Sequence, residues 1–123
     1  MRALVIDDSR AMRNIIKSML KDLGFEVHEA AHGSEGLDQL ATHGAYDIAL
    51  VDWNMPVMNG LEFIQAVRNT PAYTDMRIMM VTTETEVGQI MKALQAGADE
   101  YVMKPFTKGT IAEKVELLGI VAA

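Results

Sequence analysis

Five short apolar runs, each followed by a segment of helical periodicity, constrain the fold of this 123-residue chain more than any other feature. The runs are Ala3–Ile6, Phe25–Ala30, Ile48–Val51, Ile78–Val81 and Tyr101–Met103. After the first, Met12, Ile15, Ile16, Met19, Leu20 and Leu23 recur at helical spacing, with Ser9 where an N-cap belongs and Gly24 where a helix stops. Ser34 is expected to open a second helix with Leu37, Leu40 and Ala41 inward, closing near Gly44. A loop with Pro56, Asn59 and Gly60 precedes a helix carrying Leu61, Ile64 and Val67. Val87, Ile90, Met91 and Leu94 form a fourth stripe, stopped by Gly97. Ile111, Val115, Leu118 and Ala122 form the last, capped by Thr107 or Thr110. This (βα)5 alternation predicts an α/β fold, a doubly wound five-stranded parallel sheet with helices on both faces. The first, third and fourth runs are continuously apolar, as strands covered on both sides must be. The second alternates and the fifth is short, so both belong at edges, which fits the strand order 2-1-3-4-5.

Composition narrows the function. Seventeen acids against eleven Lys and Arg give a net charge of −6, which repels phosphate backbones and disfavours nucleic-acid binding. The chain has no cysteine, so disulfides, Cys-based zinc sites and thiol nucleophiles are excluded. No apolar run approaches the roughly 20 residues that span a bilayer, and the first run meets Asp7 and Asp8 too soon for a signal peptide. A monomeric cytoplasmic protein with no membrane partner is expected. The length suits one domain over residues 1–123, with no output domain attached.

In such a sheet, ligands bind beyond the carboxyl ends of the strands where the order reverses, here between the first and third. Asp7 and Asp8 follow the first strand, Asp52 the third, and Thr82 and Lys104 the fourth and fifth. Each has an ordinary reading on its own: a dipole partner, a turn residue, a solvated edge lysine. Together they place three carboxylates, a hydroxyl and an ammonium on one rim. Clustered carboxylates repel and raise one another's pKa, and a divalent cation removes that penalty. An all-oxygen set with few carboxylates suits Mg²⁺, which keeps waters and pairs with phosphate. Lys104 supplies a positive point charge for a phosphoryl oxygen and Thr82 a hydroxyl.

The residues that carry this chemistry also carry a resemblance. Asp7-Asp8, Asp52 within Asp52-Trp53-Asn54-Met55-Pro56-Val57-Met58-Asn59-Gly60, Thr82 within Val81-Thr82-Thr83-Glu84, and Lys104-Pro105-Phe106 make the whole chain resemble a response-regulator receiver domain, specifically the single-domain chemotaxis regulators of the CheY type. The strand order above is that of the flavodoxin-like fold to which these receivers belong, so it serves as a consistency check and not as an independent prediction. The resemblance implies that Asp52 accepts a phosphoryl group from a phosphohistidine on a CheA-like sensor histidine kinase. It implies that Asp8, Asp52 and the backbone carbonyl of Asn54 hold Mg²⁺, with Asp7 acting largely through a bound water. Lys104 and Thr82 would contact the phosphoryl oxygens, and the Lys104–Pro105 peptide would be cis. Thr82 and Tyr101 would form the switch. The hydroxyl is drawn to the phosphoryl group, the aromatic turns inward, and the fourth helix, fifth strand and fifth helix change their surface. The implied product is a signalling phosphoacceptor and not an enzyme, though it assists its own phosphorylation and dephosphorylation. A flagellar motor switch protein or another downstream target, and a phosphatase, are the implied partners. A phosphate sink or adaptor outside chemotaxis is the alternative.

Two enzyme-like readings fit less well. A flavodoxin-like FMN carrier needs a Ser/Thr/Gly-rich cradle where this chain has Asp7-Asp8-Ser9-Arg10. A haloacid-dehalogenase-type phosphohydrolase needs a second acid two residues after its nucleophile, and neither Asp7-Asp8-Ser9 nor Asp52-Trp53-Asn54 has one. The resemblance is imperfect at Thr83, bulkier than the family's usual residue, and at Glu86 and Val87, where chemotaxis regulators often carry basic residues. Glu84 is placed near the site's mouth. Among the ten methionines, Met12, Met19 and Met91 are expected to fill core gaps from helices, and Met79, Met80 and Met103 from strands. His28, His32 and His43 show no metal-ligand spacing, and His28 is expected to face solvent. Trp53 is expected to flank the site.

Overall fold

The computed structural model describes residues 1–83 and 88–120. Strands β1 (Arg2–Ile6), β2 (Glu26–Ala30), β3 (Ile48–Asp52), β4 (Arg77–Thr82) and β5 (Glu100–Met103) pair in parallel, in the order β2-β1-β3-β4-β5. The alternating run and the short run are the two edges, as the sequence predicts. Helices α1 (Arg10–Asp22), α2 (Gly33–His43), α3 (Gly60–Arg68), α4 (Ile90–Ala96) and α5 (Lys108–Leu117) connect them, and a single 3-10 turn, Pro71–Tyr73, lies between α3 and β4.

Side chains alternate across each strand, so the sheet feeds two cores. On one face Leu4, Ile6, Val51, Ile78 and Met80 meet Leu40, Phe63, Ile64, Val67 and Ala93 from α2, α3 and α4. On the other, Val5, Ile48, Leu50, Met79 and Val81 meet Ile16 and Leu20 from α1 and Ile111 and Val115 from α5. Burying each large aliphatic side chain contributes about 1.5–3 kcal/mol, and these two layers hold the sheet that positions the rim.

Several helix details differ from the periodicity. The second helix is capped by His32, whose Nδ1 accepts from the Glu35 amide at 3.2 Å, and Ser34 lies inside its first turn. Gly33 starts the helix because its amide reaches the Met58 carbonyl at 3.1 Å; a Cβ there would lie 2.7 Å from Met58 Cγ. Ala41 is exposed, and Gly36 takes the inward place beside Ile6 and Phe63. Ile15 is also exposed, one position off the stripe that buries Ile16. In α3 the buried Phe63 joins Ile64 and Val67, a core residue that the Leu61 stripe omits. Asn59 makes a reciprocal capping box with Glu62, and Thr107, not Thr110, caps α5. Met91 is 62% exposed and Leu94 is exposed too, so α4 buries only Ile90 and Ala93. Met91 is therefore not a core filler, whereas Met12 and Met19 pack against the second core and Met79 and Met80 are fully buried. His28 does not face solvent freely: its Nδ1 lies 2.6 Å from the Tyr46 hydroxyl and its ring 4.5 Å from that of His43. Glu84, Glu86, Val87 and Ala122 lie outside the described residues.

Arg68, the last residue of α3, ties three elements together. Its Nε donates to the Gly97 carbonyl at 2.9 Å, its Nη1 to the carbonyls of Met76 at 2.8 Å and Thr74 at 3.1 Å, and its Nη2 to Asp99 Oδ2 at 2.9 Å. Asp99 Oδ2 also accepts from the Ile78 amide at 2.8 Å. Gly97 adopts φ +121°, and a Cβ there would strike the Arg68 side chain at 2.6 Å.

Candidate functional site

All three acids named from the sequence converge at the carboxyl edge of the sheet. Ligand oxygens of Asp7, Asp8 and Asp52 lie within 4.8 Å of one another, the one group of three such ligands among the described residues. Asp7 and Asp52 are buried and Asp8 is exposed. At an effective dielectric constant of about 20, two full charges at this separation repel by about 3 kcal/mol. The fold answers with Lys104, whose Nζ lies 3.4 Å from both Asp7 Oδ2 and Asp52 Oδ1. The Lys104–Pro105 peptide is cis, as the resemblance implies.

One ammonium does not balance three acids. Burial and then the Asp7 charge push the Asp52 carboxyl up to about 7, against the pull of Lys104. Burial works against the Lys104 ammonium, but Asp52 and Asp7 outweigh it and its pKa lies above that of an ordinary lysine. The site is thus a cation-short cluster at neutral pH, with an all-oxygen donor set that fits a hard divalent cation.

The loop geometry holds the acids in place. Asp7 Oδ1 accepts from the Ser9 amide at 2.8 Å, and Ser9 Oγ in turn caps α1 by accepting from the Met12 amide at 3.2 Å. Gly60 opens α3 directly beneath Asp52. Its amide donates to the Trp53 carbonyl at 3.1 Å, and a Cβ would lie 2.8 Å from the Asp52 carbonyl oxygen. Asn54 lies exposed two residues beyond Asp52, and Trp53 is buried beside it. Val57, in the same loop, has φ +67° and is 77% exposed, an unusual conformation for a β-branched residue.

Thr82 ends β4 beside this cluster. Its hydroxyl is the one buried side-chain polar atom without a hydrogen-bond partner among the described residues. Leaving such a group unsatisfied costs about 1–3 kcal/mol. Thr82→Val, which replaces it with a methyl group of similar shape, is expected to raise stability by about 1 kcal/mol in urea unfolding without phosphodonor. A loss of more than about 1 kcal/mol would show that the hydroxyl is already satisfied. Tyr101 lies on the same sheet face as Thr82, packs against the first core and carries the Lys114 ammonium 4.9 Å from its ring centre.

The structure therefore brings Asp7, Asp8, Asp52 and Lys104 into one cluster, and sets Thr82 and Asn54 on the strand end and loop around it. It also shows residues that sequence reading missed. Arg13 Nη1 donates to the Asp7 carbonyl at 2.7 Å and its Nε to Glu29 Oε1 at 2.9 Å, while Lys17 holds the other Glu29 oxygen. Bonded to Lys17 and Arg13, the Glu29 carboxyl is held below the usual carboxylate range. Two basic residues four apart on α1, facing an acid on the neighbouring strand, were the available signal. No helix among the described residues is long and apolar enough to cross a membrane.

Known proteins resemble this chain in sequence and in fold. The model of the response regulator receiver domain matches residues 3–116. A chemotaxis protein CheY homolog of Campylobacter jejuni is 47% identical over 117 residues, covering 94% of this chain and 90% of that protein. Chemotaxis protein CheY1 of Helicobacter pylori is 42% identical over 119 residues, covering 96% of each. The crystal structure of Vibrio cholerae chemotaxis protein CheY4 superposes with a TM-score of 0.88 at 35% identity, over 95% of this chain and 97% of that one. Family match, strand order and acidic rim agree, and the chain belongs to the response regulator receiver domain family, as a two-component phosphorelay response regulator of the chemotaxis type.

Proposed function

We propose that Asp52 is the phosphoacceptor of this regulator and that Asp7, Asp8 and Asp52, with the Asn54 carbonyl, hold Mg²⁺. The observation that carries this reading is a buried Asp52 within 4.8 Å of two further carboxylates and 3.4 Å from a lysine ammonium. As a receiver, the chain works between a histidine kinase and a downstream target. A CheA-like kinase and a flagellar motor switch protein are the partners proposed here, supported by the chemotaxis names of its relatives.

Asp52 attacks phosphorus through a carboxylate oxygen. The new O–P bond forms as the P–N bond of the phosphohistidine breaks and the imidazole departs with that electron pair. Phosphoryl transfer has a loose transition state, so alignment and charge neutralisation do the work. Lys104 places its ammonium beside the oxygens that gain charge. Bound Mg²⁺ would supply the remaining positive charge that the carboxylates and the phosphoryl oxygens require. Water then cleaves the acyl phosphate and ends the signal, so the protein promotes its own turnover without serving as an enzyme for another substrate.

The phosphoryl group brings nearly two negative charges and three acceptor oxygens. The orphan hydroxyl of Thr82 is a donor without a partner until such an acceptor arrives, and Tyr101 on the same face follows the space it vacates. The surface of α4, β5 and α5 is the proposed readout. Intact-mass measurement after incubation with acetyl phosphate tests the reading. One phosphoryl group, mapped to Asp52 and dependent on Mg²⁺, is expected; a label mapped elsewhere, or none with Mg²⁺, overturns it.

A further inference from the structure

We propose that Arg13 is a positioning residue: by holding the Asp7 carbonyl it fixes the Asp7–Asp8 peptide plane and thereby sets the cluster's affinity for Mg²⁺. The inference rests on the metal reading above and adds a residue outside the acidic rim. Asp7 is fastened at four points. Its amide donates to the Ala30 carbonyl at 3.2 Å, Oδ1 accepts from the Ser9 amide, Oδ2 faces Lys104, and its carbonyl accepts from Arg13 Nη1 at 2.7 Å. The amide and Oδ2 contacts fix Asp7 itself, and the Ser9 bond also holds the peptide that follows Asp8. The fourth fixes the carbonyl whose peptide continues into Asp8, and Asp8 is exposed, with no hydrogen bond to hold its carboxylate among the described residues. Rotation of that one peptide would swing Asp8 away from Asp7 and Asp52.

Arg13 can resist such rotation because it is itself immobilised. Its side chain is 14% exposed, its Nε is bonded to Glu29 on β2, and Lys17 occupies the other oxygen of that carboxylate. The guanidinium thus bridges α1, β2 and the β1–α1 loop, a fork that a single ammonium cannot reproduce. Groups that orient metal ligands in this indirect way typically change metal affinity by about 10–100-fold when removed.

Charge and geometry make opposite demands, which gives the proposal a sharp test. Removing a positive charge beside three carboxylates would by electrostatics alone strengthen cation binding. Losing the positioning contact weakens it. Mg²⁺ titrations followed by Trp53 fluorescence and by calorimetry compare the parent, Arg13→Ala and Arg13→Lys, with urea unfolding in EDTA as the control for folding. Arg13→Ala is expected to raise the Mg²⁺ dissociation constant about tenfold. Arg13→Lys keeps the charge but cannot span both acceptors, and is expected to raise it by a smaller factor. An unchanged or lower dissociation constant in Arg13→Ala overturns the proposal. If Arg13→Ala does not fold, parent-like affinity in Arg13→Lys overturns it instead. Absence of Mg²⁺ binding by the parent would count against the metal reading itself, and so the two failures are told apart.

Discussion

Asp52→Asn is expected to take up no label from a small phosphodonor and, without Mg²⁺ at pH 7.5, to be more stable than the parent protein. The loss of labelling follows from removing the oxygen proposed to attack phosphorus. The gain in stability follows from the carboxyl that burial and Asp7 push up to about 7. An unfolded Asp releases its proton near pH 4. Between about pH 4 and 7 the folded state therefore retains a proton that the unfolded state has lost. The unfolded state binds fewer protons, so stability falls as pH rises through that window and levels off above it. A tenfold difference in proton affinity corresponds to about 1.4 kcal/mol, so a window this wide sets a ceiling of about 4 kcal/mol. Lys104 loses one of its two carboxylate partners in the variant, so the expected net gain is about 2 kcal/mol. Urea unfolding in EDTA from pH 4 to 8 measures it. The parent curve should decline across the window relative to the variant, and parallel curves would show that Asp52 ionises normally.

Arg68→Ala is expected to destabilise the protein by about 3–4 kcal/mol, the largest loss foreseen for a single substitution outside the hydrophobic core. The guanidinium satisfies the carbonyls of Thr74, Met76 and Gly97 and pairs with Asp99, which is itself bonded to the Ile78 amide at the start of β4. Truncation leaves the carbonyls of buried Met76 and half-buried Gly97 unpaired, returns the Thr74 carbonyl and the Asp99 carboxylate to water, and opens the space over Gly97 that the Arg68 stem fills. Arg68→Lys should recover less than half of the loss, because one ammonium cannot replace a planar fork that reaches four acceptors. The network lies at the opposite end of the sheet from Asp52, so labelling of the folded fraction should be unaffected. A loss below about 1 kcal/mol for Arg68→Ala would show that water substitutes freely for the guanidinium.

Why Arg68 escapes a reading of the sequence while Asp52 does not is a matter of what each side chain contacts. Asp7, Asp8, Asp52, Thr82 and Lys104 each stand at the end of an apolar run, so the parallel topology alone brings them to one rim. Local chemistry also marks Ser9 as a cap and Gly24, Gly44 and Gly97 as stops, and all three glycines adopt positive φ. Arg68 and Arg13 instead act on backbone carbonyls, some near in the chain and one, that of Gly97, distant, and a carbonyl leaves no trace in the residue type that bears it. Met91 and Leu94 mislead for the converse reason. Periodicity identifies a helical face as apolar but does not say that another element covers it, and on α4 the core is satisfied by Ile90 and Ala93. His32 and His28 mislead because imidazole can cap a helix or bond a buried tyrosine as readily as it faces water.

The proposed function turns on the cluster of Asp7, Asp8 and Asp52, and calorimetric titration with Mg²⁺ at pH 7 in two buffers of different ionisation enthalpy probes it most directly. Because Asp52 sits near its midpoint at that pH, saturable one-to-one binding is predicted with release of about half a proton per ion, a release that Asp52→Asn abolishes. A titration without saturable heat, or binding to the parent with no proton released, would contradict the account.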